Sequence, residues 1–457
     1  MRRQTQVRHR ITNSNARKAD APLVLLRAIL ITVFTLALLF CDTGTGAVPS
    51  RVNTDPDPIP VANAHDLMAV GSGQAQVFAE GTSHERSVTG GSNTMDAHYV
   101  LVKDIDLTAL ENAIAGLPEG NNFVPIGSPE EPFSGIFDGN GHQISNLMLK
   151  LPNRLDEDGV TTIRSRAGFF GSIGAEGLVQ NVRLVNVDVK GGEYVGGLAA
   201  SNSGTVKNSS ITGSIEGGLV SEGASTSAAS RSIGGLIGRN SGGGIVIGSS
   251  SHGNVSGNQH VGGLIGWANA HGRIVNSHSS ARTFGGSRAG GLIGRNAADV
   301  ISSYANGDVS GSSEIGGLAG IMTFGSITDS YSTGSATGSN RRVGGLLGHS
   351  SDNRVRVSNS YSTGRVEANG DNAGGLIGRF QGELSHSYWD ADTSGKNASA
   401  AGVGKTTDEL TSGQPGETVF NGWDPEIWVI EAGTYPWLRW QGQAGEHNLP
   451  SAPPNGQ

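Results

Sequence analysis

His84-Glu85 opens the His-Glu-x-x-His pattern, which sets two imidazoles on one helix face for zinc and supplies the glutamate base of a metallopeptidase. Arg86-Ser87-Val88 follow, so the second ligand is missing. Gly402-Val-Gly-Lys-Thr-Thr407 has the end of a phosphate-cradling loop, yet Ser399 stands where that loop needs its first glycine. Acid–base work on a sugar polymer needs carboxylates gathered on one surface. The candidates are Asp104, Asp106, Asp138 and His142 near the start, and Asp390 and Asp392 near the end. Asp138-Gly-Asn-Gly reads as turn chemistry, Asp390 falls where a turn is expected, and neither type recurs from repeat to repeat. No Asp-x-Asp-x-Asp calcium loop is present, and the single Cys41 permits no disulfide and no thiolate metal site. Catalytic residues, metal ligands and cofactors are therefore expected to be none.

One set of chemistry-bearing side chains does recur. His278, Tyr304, Tyr331, Tyr361 and Tyr388 occupy one column of a repeat, which Ser210 and Ser250 occupy in earlier copies. Four of the seven tyrosines fall in it. If the neighbouring column faces inward, these rings face out, one repeat above the next. An outward aromatic ladder is a platform for sugar rings or for a partner's edge. The same column can equally be rings packed on one another to shield a sheet.

The elements that would position this column are set by a second recurrence. Val195-Gly-Gly-Leu-Ala, Ile233-Gly-Gly-Leu-Ile, Val261-Gly-Gly-Leu-Ile, Ala289-Gly-Gly-Leu-Ile, Ile315-Gly-Gly-Leu-Ala, Val343-Gly-Gly-Leu-Leu and Ala373-Gly-Gly-Leu-Ile are copies of one phrase. Their leucines, Leu198, Leu236, Leu264, Leu292, Leu318, Leu346 and Leu376, are 38, 28, 28, 26, 28 and 30 residues apart. A period near 28 marks a stacked array, in which each repeat buries its apolar face on its neighbours. The 38 holds a Ser/Ala/Gly-rich insertion around 217–230.

Each phrase is followed by a turn-tolerant residue (Asn208, Gly248, Asn276, Ser302, Asp329, Asn359, His386) and then by an unvarying serine: Ser209, Ser249, Ser277, Ser303, Ser330, Ser360 and Ser387. A small residue that never changes between copies suggests an inward position where layers pack closely. The segments are short, rich in β-formers and punctuated by glycine, 72 of 457 residues. The fold expected is all-β: a right-handed parallel β-helix of 26–30-residue coils, capped at both ends. A propeller would need four longer antiparallel strands in each repeat of 40 or more residues.

The Gly-Gly-Leu phrase followed by Ser-Tyr-Ser-Thr-Gly resembles the GLUG-motif repeats of exported bacterial proteins. The flanks resemble that family too, in Tyr99-Val-Leu-Val-Lys-Asp-Ile-Asp-Leu107, Phe133-Ser-Gly-Ile-Phe-Asp-Gly-Asn-Gly-His142, Ser387-Tyr-Trp-Asp390 and Tyr435-Pro-Trp-Leu-Arg-Trp440. The resemblance covers roughly residues 65–440. It implies a surface, adhesin-like protein, or the non-catalytic part of an IgA-specific metallopeptidase without its peptidase domain.

Outside the repeats, Arg2, Arg3, Arg8, Arg10, Arg17 and Lys18 precede an apolar run from Ala28 to Phe40 and a small-residue exit at Thr45-Gly-Ala47. That is the layout of a secretory signal over 1–47, cleaved after Ala47, lipidated at Cys41 or retained as an anchor. Loss of its seven basic and two acidic residues takes the net charge from −8 to −13. An acidic surface repels phosphate backbones, so no nucleic-acid partner is expected. The membrane is met through the N-terminal segment alone. Residues 48–64 read as a linker, 65–167 as the start of the solenoid and 168–388 as regular coils. Residues 389–440, with four of the six tryptophans in 423–440, read as a plug over the far end; 441–457 read as a disordered tail. The function expected is a non-catalytic module at the cell surface that binds a glycan or host ligand. A structural spacer and a polysaccharide-processing enzyme are the alternatives.

Overall fold

The computed structural model describes residues 57–110, 120–156, 162–221, 231–413 and 419–442. The expected signal, Cys41, most of the linker, residues 222–230 of the insertion and nearly all of the tail lie outside these residues.

The chain winds as a parallel β-solenoid with three faces. Asp299–Ile301 lies on a first face of eleven parallel strands that runs from Ile59–Val61 to Glu383–Ser385. Ile293–Asn296 lies on a second face of seven strands, from Ala199–Asn202 to Ile377–Arg379. Tyr304–Ala305 and Val309–Gly316 lie on the third. Repeat positions pair without slippage: Val195, Ile233, Val261, Ala289, Ile315, Val343 and Ala373 are successive partners. The 38-residue repeat keeps this register too, with Ile211–Glu216 paired to Ser251–Ser256 and Val195 paired to Ile233.

The invariant residues have separate physical causes. The seven leucines are all buried, and their backbones bond coil to coil, Leu292 N–H to the Leu318 carbonyl for example. The glycines before them are where coils approach most closely. A Cβ at Gly263 would sit 2.0 Å from the Gly291 carbonyl oxygen and 2.2 Å from the Ser279 hydroxyl, so no side chain fits.

The turn column is left-handed throughout, with φ between 42° and 58° from Asn208 to His386. That kink tips the next residue out of the ordinary ladder, and the serine repairs the loss. Ser277 Oγ donates to the Val275 carbonyl of its own coil (2.8 Å) and accepts the Ser249 N–H of the coil before it (3.2 Å). The same pair of bonds repeats at Ser209, Ser249, Ser303, Ser330, Ser360 and Ser387. The serine is invariant because a buried N–H would otherwise lack a partner.

Both ends depart from the expected boundaries. Ile59–Val61 pairs in parallel with His98–Leu101, so the first strand begins inside the segment read as a linker. Its Pro60 is tolerated because this is an edge strand. The helix Ala64–Ala69 follows, N-capped by Asn63, with Leu67 buried against a cluster that includes Phe78, Tyr99, Phe133, Phe137 and Phe170. At the far end, Ser251, Ser279, Ala305, Ser332 and Ser362 form a column of small inward residues that terminates in Trp389. The indole fills the space a further coil would take, lying where a Cβ at Gly375 would be 2.0 Å away. The tryptophans of 423–440 are elsewhere. They do not cross the open end of the core but run back along the outside of the third face.

Candidate binding surface

The tyrosine rings point away from the solenoid core and form their own apolar cluster. Tyr304 and Tyr331 stack with centroids 5.0 Å apart and planes 3° from parallel; Tyr331 and Tyr361 repeat the arrangement at 5.0 Å and 10°. His278 continues the stack on Tyr304 at 4.8 Å. The exposed platform expected from the sequence is, however, a covered one. Tyr361 retains 1% of its surface and Tyr388 7%, because residues 419–442 lie across the column. Tyr361 Oη donates to the Pro436 carbonyl (2.6 Å) and Tyr331 Oη to Gln441 Oε1 (3.1 Å). Trp423, Trp428 and Trp440 pack against the rings, and each indole N–H is received by the turn column. Trp440 reaches the Ser302 carbonyl (2.8 Å), Trp428 reaches Asp329 Oδ1 (3.1 Å) and Trp423 reaches the His386 carbonyl (3.1 Å).

Burial governs the titration of this seam. It raises the phenols of Tyr304, Tyr331 and Tyr361 above their usual range, and it lowers His278 to about 4. Burial also raises Asp329, against the opposing hydrogen bonds from Trp428 and Asn359. Neutral forms are favoured throughout, as suits a packed seam. The rings order one another and the segment that covers them, so they have no free face for an outside ligand.

The candidate carboxylates are held in structural bonds. Asp104 accepts the Gln143 N–H and faces His142 Nδ1 at 3.2 Å; Asp106 accepts from Asn146 and the Thr108 N–H. Asp138 accepts from the Asn140 N–H, Gln180 and Asn181. Asp390 caps the short helix Ala391–Ser394 and accepts from Thr407 and Tyr435, and Asp392 accepts the Thr407 N–H. The phosphate-loop look-alike has a different use. Val403–Lys405 is the last strand on the third face, and Thr406 forms a capping box with Glu409 for the single turn Thr407–Leu410. Among the described residues no three His, Cys, Asp or Glu side chains gather to hold a metal ion, and no helix is long and apolar enough to cross a membrane.

A column that the sequence reading did not single out, partly exposed at Arg239, Trp267 and Arg295, stands on the second face. Three residues after each repeat leucine lies an outward position on the second face, occupied by Ser201, Arg239, Trp267, Arg295, Ile321, His349 and Arg379. Arg239 and Arg295 lie over Trp267 at 4.7 and 4.5 Å from its ring, one from each neighbouring coil. Arg239 and Arg166 likewise approach Tyr194, at 5.6 and 5.1 Å. Beside them, Glu314 holds Arg288 at 2.8 Å and Arg342 at 2.6 Å. Burial pushes the Glu314 carboxyl up, but hydrogen bonds from His349, Arg288 and Arg342 outweigh it and leave it at about 2. His260 next to Arg288 is lowered to about 4, by burial and then by that cation. Aligning this variable position would have revealed the cations.

A second surface feature is a shallow groove of about 510 Å³ on the third face. Phe284, more than half exposed, stands at one end, and Gly286, Ser310, Ser312 and Thr337 line its length.

No family model matches the chain. A 165-residue stretch is 32% identical to Halomucin of Haloquadratum walsbyi, covering 36% of this chain and 2% of that protein. A 157-residue stretch is 33% identical to a "Putative Gly-rich membrane protein" of Evansella cellulosilytica, covering 31% of this chain and 16% of that one. The chain thus spans a small fraction of the length of either relative. Among solved structures, the "putative immunoglobulin A1 protease" of Bacteroides ovatus aligns over 85% of this chain and 94% of its own, at 19% identity and a TM-score of 0.37.

Proposed function

We propose that this chain is a non-catalytic, exported β-solenoid of the GLUG type that binds a ligand at the cell surface. The observation that carries the reading is the outward ladder of cations and aromatics on the second face, held by coils that fix each position to its neighbours. A rigid sheet with ordered, partly exposed guanidinium groups suits recognition of an extended partner rather than enclosure of a small substrate. The surface location is inferred from the basic and apolar N-terminus and from the relative named as a membrane protein. One observation favours the spacer reading instead: the tyrosine column, the first candidate for a binding platform, is consumed by packing. An array of glycans and envelope fractions, probed with residues 48–457, separates the two. Saturable binding to any member supports the module, and no binding to any member leaves the spacer.

A further inference from the structure

A stack of alternating cations and rings crosses from the third face to the second. Arg166 and Tyr194 are partners on the third face, Arg239, Trp267 and Arg295 are successive partners on the second, and Arg239 joins the two by lying over Tyr194 as well as Trp267. Over these five coils a cation stands on every second one, with an aromatic ring between each pair. At a coil rise of roughly 4.8 Å, successive cations are about 10 Å apart along the axis. The rings act as spacers: each indole or phenol face is bracketed by the guanidinium groups above and below, which fixes the cations without neutralising them.

These charges are poorly compensated. The nearby carboxylates are engaged elsewhere, Glu314 by Arg288 and Arg342, and Glu193 by Arg164 at 3.0 Å. Among the described residues no carboxylate pairs with Arg239 or Arg295, and the Nε of each is buried without a hydrogen-bond partner. Burial, with the neighbouring cations Arg288 and Arg239, also lowers Arg295 from its usual range. Guanidinium groups gathered this closely repel one another, and an anion placed on them relieves that repulsion.

We propose that this strip is a binding site for an extended acidic polysaccharide whose carboxylate or sulfate recurs once in every two sugars. This rests on the surface-module reading and supplies its ligand class. The strip is open and linear, so the ligand must be a chain, and each anion can meet one guanidinium on the exposed edge of the stack. Nucleic acid is a poorer match, because its charges come at about 1.7 Å along a duplex, far more closely than the cations of the strip.

The test uses residues 48–457 and biolayer interferometry on end-immobilised probes: hyaluronan and chondroitin sulfate with alternating acids, polygalacturonate with an acid on every sugar, neutral dextran, and single-stranded DNA. The alternating polymers should bind best, with affinity falling as salt rises. Arg239→Gln with Arg295→Gln should weaken them by roughly tenfold for each guanidinium removed. Arg356→Gln, at an exposed position on the first face, should change nothing. A melting curve checks that the double variant is folded, and Arg239→Lys alone, which keeps the charge but not the planar fork, should give a smaller loss. Equal binding by the double variant, or DNA binding as tightly as the glycans, overturns the proposal. Binding confined to dextran or to other surface glycans also overturns it while leaving the surface-module reading intact. Failure to bind any polymer or envelope fraction removes both.

Discussion

Tyr361→Ser replaces the best-buried ring of the covered column with the residue that earlier coils use at that position. The ring lies 5.0 Å from Tyr331 and 6.0 Å from Trp428, and its hydroxyl is held by the Pro436 carbonyl. Truncating a buried aromatic costs about 3–5 kcal/mol, and orphaning its carbonyl partner adds about 1 kcal/mol. Solenoid coils contact mainly their neighbours, so the loss should appear as local release of 419–442 rather than global unfolding. Hydrogen exchange followed by mass spectrometry reads this directly. Loss of about 3 kcal/mol corresponds to roughly a hundredfold faster exchange in that segment under native conditions, while Leu264 and Leu292 stay protected. Tyr361→Phe keeps the stacking and should lose only the bond to Pro436, about 1 kcal/mol. Unchanged protection and melting in Tyr361→Ser would refute the reasoning. The rings would then be free to meet an outside ligand.

Leu292→Ala, in the buried column beneath the glycines, should destabilise by about 2–5 kcal/mol in a denaturant titration. Ser303→Ala strips the partner from the buried Ser277 N–H and should cost about 1–3 kcal/mol, whereas Ser310→Ala, on the groove, should be neutral within the error of the same titration. His278 is held neutral down to about pH 4 when covered but takes a proton near 6.5 when released, so the covered state should weaken as pH falls from about 6.5 to about 4. Exchange at 436–442 measured across that range checks the sign, and His278→Tyr, the residue the next four coils use, should remove this contribution. Mass spectrometry of the exported protein should find Val48 as the first residue. An intact Met1 would contradict a cleaved leader, and diacylated Cys41 would show a lipid anchor.

The repeat phrase made the coils legible. Paired glycines, an apolar leucine and a turn residue before serine are each required by one backbone event, so their spacing alone leads to a parallel stack. Which way the tyrosines point hung on the serine beside them facing inward, a parity that alternation alone leaves open. What covers them was not legible, because Trp423, Trp428 and Trp440 belong to no repeat and contact residues as much as 138 positions away, as Trp440 does at Ser302. Their density was visible, yet periodicity carries no information on where a non-periodic segment docks. Arg239, Trp267 and Arg295 escaped notice for the opposite reason. A column that changes at every coil looks like tolerated variation until neighbouring coils are set side by side. Pro60 hid the first strand, since proline is excluded from ladder interiors but not from edges.

Trp389 sets the reach of the molecule. An open solenoid end presents unpaired backbone to any other strand, and stacking of one copy on the next would give fibres of indefinite length. Here the inward column closes on an indole too large for another coil, and the strand beyond it is three residues long and ends in Lys405. Eleven strands on the first face, at roughly 4.8 Å each, make a rod with about 50 Å between its first and last rungs. That distance is written into the number of repeats, so gaining or losing one coil would lengthen or shorten the rod by a single fixed step.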